Sequence, residues 1–156
     1  MILIIGYGNP LRGDDGAGLA LAERLEQECV GLGWSVRRLF VHQLTPELAL
    51  EIADPQVHTV LFVDTRVAQD EDDRAVRVEE VWAEAASRAR LGHHADPAMT
   101  MAYAGLLTAG PLPRAWLVTV PGVAFDHGQT LSAEAVAAVE QGAGAVLRLL
   151  AEEVPA

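Results

Sequence analysis

Apolar residues in this chain fall into two kinds of pattern. Ile2-Leu3-Ile4-Ile5 and Thr59-Val60-Leu61-Phe62-Val63 are short continuous runs. Such runs predict strands buried on both faces, as in a parallel sheet covered by helices. Val36 to Val41 reads as a further strand, and Trp116-Leu117-Val118-Thr119-Val120 as a last one, stopped by Pro121-Gly122. Val76 and Val78 alternate with Arg77 and Glu79, which predicts a half-exposed edge strand. Between these lie helical periods. Ala17, Leu21, Leu25 and Cys29 recur at four-residue spacing and predict a helix from Asp14 or Asp15, with Asp14 as its cap. Thr45-Pro46 predicts a short helix capped by Thr45 and ending before Asp54-Pro55. Asp96-Pro97 opens another by the same logic, to about Thr108. Ser132 caps a long helix with Val136, Val139, Ala143, Val146 and Leu150 on one face. Residues 82–92 fit neither period.

Alternating strands and helices predict a single α/β domain over residues 1–156. Its mostly parallel twisted sheet of about five strands is sandwiched between helices. Half of the 156 residues are apolar, enough for a sizeable core. The charge of -11, from 22 acidic and 11 basic residues, argues against a nucleic-acid partner. No apolar run approaches the roughly 20 residues of a membrane span. Met1 to Ile5 lacks the basic flank of a signal peptide, so a cytoplasmic protein is expected. Cys29 is the only cysteine, and its place on the apolar stripe predicts a buried helix position.

The chemistry concentrates in Gly6-Tyr7-Gly8-Asn9-Pro10-Leu11-Arg12-Gly13-Asp14-Asp15-Gly16-Ala17-Gly18, between the first strand and the first helix. Paired carboxylates here repel phosphate and attract cations or protons. The dinucleotide fingerprint fails because Leu11, three positions after Gly8, stands where its third glycine belongs, and there is no P-loop lysine. G-x-S-x-G and H-E-x-x-H are also absent. Functional groups of a parallel sheet gather beyond the C-terminal ends of its strands. Asp15, after strand one, and Asp64, at the end of the Val60 strand, should therefore share one edge. Two such carboxylates repel unless they share a cation or proton. A histidine from Gly92-His93-His94-Ala95-Asp96-Pro97 would complete an O,O,N set suited to Zn²⁺, Ni²⁺ or Mn²⁺. His42, His58 and His127 read as exposed loop or strand-end residues, and Asp70 to Asp73 as a solvated turn.

Gly6-x-Gly8-Asn9-x-Leu11-x-x-Asp14-Asp15-x-x-Gly18 resembles the N-terminal signature of the [NiFe]-hydrogenase maturation endopeptidases. The resemblance continues at Leu61-Phe62-Val63-Asp64, at His93 four residues before Pro97, and through Trp116 to Gly122 and Leu131-Ser132. It implies a twisted sheet between helices and a monomeric enzyme. The implied reaction removes a C-terminal peptide from a hydrogenase large-subunit precursor after nickel insertion. It assigns the catalytic and metal-contacting roles to Asp15, Asp64 and His93, with nickel arriving inside the substrate. Two departures stand out. Asp15 replaces the glutamate of some members, and His42-Gln43-Leu44-Thr45-Pro46-Glu47 replaces an Asp-Gly-Gly-Thr-type segment, which suggests a different large-subunit partner. Two other readings fit part of the pattern. A non-enzymatic nickel-binding assembly factor would use the same three residues. A peptidyl-tRNA hydrolase shares Gly-x-Gly-Asn-Pro, but the residues after it and the charge oppose that reading.

Overall fold

Strands β1 (Ile2–Tyr7), β2 (Val36–Val41), β3 (Thr59–Val67), β4 (Arg77–Val81) and β5 (Arg114–Gly122) form one sheet in the order β2-β1-β3-β5-β4. The computed structural model describes residues 1–83 and 96–154. All pairings are parallel except that of edge strand β4 with β5. Helices α1 (Ala17–Gly31) and α4 (Ala133–Glu153) cover one face; α2 (Leu48–Ile52) and α3 (Pro97–Leu107) cover the other. Residues 2–5 of β1 and 60–63 of β3 are apolar at every position because both faces of the sheet are covered there. Ile2, Ile4, Leu61 and Val63 pack on the α1/α4 side, and Leu3, Ile5, Val60 and Phe62 on the α2/α3 side. The stripe Ala17, Leu21, Leu25 and Cys29 is fully buried, as its spacing predicts. No helix among the described residues is long and apolar enough to cross a membrane.

Two predicted caps are in place. Asp96 accepts from Met99 N at 2.7 Å, and Ser132 accepts from Ala135 N at 3.1 Å. Elsewhere the structure departs from the sequence pattern. Thr45 does not cap α2, because residues 48–50 spend their N–H groups on the carbonyls of Thr45, Pro46 and Glu47, a tight turn before the helix proper. β5 takes in Pro121 and Gly122 instead of stopping before them. β4 pairs only as far as Thr119, so beyond it β5 has an open side, where a residue lacking N–H is tolerated. On α4 Val139, Ala143, Val146 and Leu150 face inward as predicted, but Val136 is 43% exposed, and Ala135 and Ala138 take the inward positions of the first turns.

Asp14 is the largest correction. It is not a cap: a 3-10 turn, Gly13–Gly16, precedes α1, and the helix starts without a side-chain cap. Asp14 is fully buried. Its carboxylate accepts from Val123 N (2.8 Å), Ala124 N (3.0 Å), Ser132 N (2.7 Å) and Ser132 Oγ (2.7 Å). One acid thus ties the first loop to the whole β5–α4 connection. Burial alone would raise its pKa, but the four donors override that and hold it below the ordinary value. This stabilisation is complete above the unfolded pKa of about 4 and is lost as pH falls through the lower folded value. Asp14→Ala is expected to lower unfolding free energy by about 3 kcal/mol, since it orphans buried donors. Urea melts at pH 7 and pH 3 check this; the difference should shrink at pH 3.

Candidate functional site

The order β2-β1-β3 places a reversal between β1 and β3. α1 leaves β1 on one face, and α2 enters β3 from the other. A crevice opens at such a switch point, beyond the C-terminal strand ends. Here β1 stops at Tyr7, while β3 runs on to Val67 against β5. Asp64 therefore does not end its strand, as the apolar run suggested; it stands where β3 outlasts β1.

The first turn of α1 closes on β3 at this gap. Gly18 N donates to Thr65 Oγ1 at 2.8 Å. A Cβ on Gly18 would fall 2.7 Å from the Asp64 carbonyl carbon, so only glycine lets the helix approach this closely. Gly8 is held at φ 141°, where a side chain would overlap the Asp15 carbonyl oxygen. Asn9 folds the loop between them. Its side-chain oxygen accepts from Leu11 N at 2.9 Å, and its own N–H donates to Asp15 Oδ2 at 2.7 Å. The Gly-x-Gly-Asn pattern thus shapes a turn that presents a carboxylate.

Asp15 and Asp64 do share the C-terminal edge. Both line an open cleft of about 370 Å³ with Tyr7, His42, Leu44 and Asp96. Each carboxylate has one oxygen held by a backbone N–H: Asp15 Oδ2 by Asn9, and Asp64 Oδ1 by Thr65 at 2.8 Å. The second oxygen of each accepts no hydrogen bond from the described residues. Burial pushes the Asp64 carboxyl up to about 6; the Thr65 N–H partly offsets this, and the negative charge of Asp15 adds to it. Tyr7 is also raised, first by burial and then by Asp64 and Asp96. The arrangement is an acceptor pair that a cation or proton would relieve. His93, the third residue of the set, lies outside the described residues, as does His94. No group of three metal-binding side chains occurs among the described residues.

Sequence reasoning missed Tyr7, and it assigned His42 to an exposed loop and Asp96 to a cap. His42 is exposed and Asp96 does cap α3, yet both also border the cleft. The signal available for Tyr7 was its register. It lies one position beyond the Gly6–Val63 pair, which sets it beside Asp64.

No family model matches the chain, and no curated protein sequence matches it. Solved structures do. The chain resembles hydrogenase maturating endopeptidase HybD from E. coli at TM-score 0.70 and 21% identity, over 97% of this chain and 92% of that one. It resembles the [NiFe] hydrogenase maturation protease HybD from Thermococcus kodakarensis at TM-score 0.64 and 22% identity, over 95% and 97% of the two chains. For HycI from Thermococcus kodakarensis KOD1 the values are 0.67 and 22%, over 96% and 91%. These likenesses establish the fold: a single domain with the mostly parallel five-stranded sheet of the hydrogenase maturation proteases.

The raised Asp64 pKa has a thermodynamic signature. Above about pH 6 the ionised Asp64 destabilises the fold, and the penalty is relieved as pH falls from 6 toward its unfolded value near 4. Asp64→Asn is therefore expected to be more stable than the parent at pH 7.5, by about 1–2 kcal/mol after solvent screening. The gain should vanish near pH 4. Thermal melts across that range check it, and a variant less stable at pH 7.5 would contradict it.

Proposed function

We propose that this protein is an endopeptidase that removes the C-terminal extension of a [NiFe]-hydrogenase large-subunit precursor after nickel insertion. The observation that carries this reading is the pair Asp15 and Asp64 at the β1/β3 switch point, each with one oxygen pinned and one available. Fold likeness to solved maturation proteases over nearly the whole chain supports it.

In this proposal nickel comes with the substrate. Asp15, Asp64 and His93 grip the nickel already seated in the precursor, the two carboxylates supplying hard oxygen donors and His93 a nitrogen. A precursor without nickel brings no positive charge into a cleft dominated by carboxylates and is not held. The check on metal loading is thus electrostatic. The glycine-rich turn from Gly6 to Gly13 leaves room for the precursor tail beside the carboxylates. The enzyme works in the cytoplasm as a monomer on a folded protein partner, with no nucleic acid, membrane or organic cofactor involved.

Asp15→Asn and Asp64→Asn test the assignment. Losing an outer-shell partner of a metal ligand costs about 10–100-fold, so losing a ligand's charge should cost at least about 100-fold in processing rate. Circular dichroism should show both variants folded. Normal processing by both would overturn the carboxylate site.

A further inference from the structure

The α2/α3 face of the sheet is built in rows. Leu3, Val60 and Ala115 form one across β1, β3 and β5, and Ile5, Phe62 and Leu117 the next. Both rows are apolar, and most of their members are fully buried. One position further, Asp64 pairs with Thr119, and Tyr7 directly follows Gly6–Val63, the last pair of β1 with β3. At the cleft floor the same face therefore turns polar in one step. The Tyr7 ring packs on the apolar cluster beneath, while its hydroxyl lies in the field of both Asp64 and Asp96.

The donors and acceptors of this cleft are unevenly matched. Asp15, Asp64 and Asp96 are acceptors when ionised. His42 and Gln43 are exposed at the mouth. Tyr7 is half-buried, and no hydrogen bond joins its hydroxyl to another described residue. A peptide entering the cleft brings a C=O for every N–H. Its N–H groups meet carboxylates, but a carbonyl carried to the floor needs a donor, and an unpaired buried carbonyl is costly. A phenol is protonated at neutral pH and supplies that donor.

We propose that Tyr7 is a substrate-binding residue whose hydroxyl donates a hydrogen bond to a backbone carbonyl of the precursor segment held over Asp64. This rests on the endopeptidase reading above. The contact is made when the precursor binds and is kept through the reaction, so it governs affinity rather than turnover.

Tyr7→Phe tests it, because the ring and its packing stay while the donor goes. The probe is nickel-loaded [NiFe]-hydrogenase large-subunit precursor. Its binding is followed by biolayer interferometry and its cleavage by mass spectrometry, for wild type and variant. The expected result is about tenfold weaker binding and a matching rise in KM, with kcat and melting temperature unchanged. Equal affinities would overturn the proposal. So would a fall in kcat at unchanged KM, or weaker binding accompanied by a lower melting temperature. Precursor that binds wild type without being cut would sink the endopeptidase reading alone, since the affinity comparison still decides the role of Tyr7.

Discussion

The close approach of α1 to β3 is the constraint on which the site depends. A helix whose first turn presses on a strand backbone needs a residue without a side chain at the contact, and Gly18 supplies it. The Gly18 N–H to Thr65 Oγ1 bond fixes the distance, and Thr65 N in turn orients the neighbouring Asp64 carboxylate. On the other side of the contact, the loop that leads into α1 carries Asp15. Two acids 49 positions apart in sequence are thus held at one edge by a single helix–strand contact. Asp14 secures the same loop from behind, through its four donors at the β5–α4 connection.

This construction stores an electrostatic cost and directs it. Asp64 loses hydration against an apolar strand and faces a second carboxylate, and both effects favour a proton or a cation over an empty site. Because one oxygen of each acid is already bound by backbone, the free oxygens keep fixed directions before any ligand arrives. In the proposed reaction, a precursor carrying a metal ion would gain from this preorganised pair, and the same precursor without metal would bring no positive charge to it.

Much of this was readable from the chain because it is local. The run Ile2 to Ile5, the stripe ending at Cys29, and the caps at Asp96 and Ser132 each depend on neighbours within a few residues. The shared edge of Asp15 and Asp64 followed from a general rule about parallel sheets. What failed was non-local. Asp14 sits at a helix start and looks like a cap, but its partners lie 109 to 118 residues away. Pro121 looks like a stop, and only the early end of β4 pairing explains why it is not. Tyr7 carried no motif of its own; its meaning comes from the register between β1 and β3.

Processing of a hydrogenase large-subunit precursor, compared with and without nickel, tests the account most directly. Purified protein is mixed with each form, and product mass is read by mass spectrometry. The account predicts loss of a C-terminal peptide from the nickel-loaded precursor and none from the nickel-free one. Equal cleavage of both forms would contradict metal-gated recognition by Asp15 and Asp64, and release of no peptide from any nickel-loaded large subunit would contradict the endopeptidase itself.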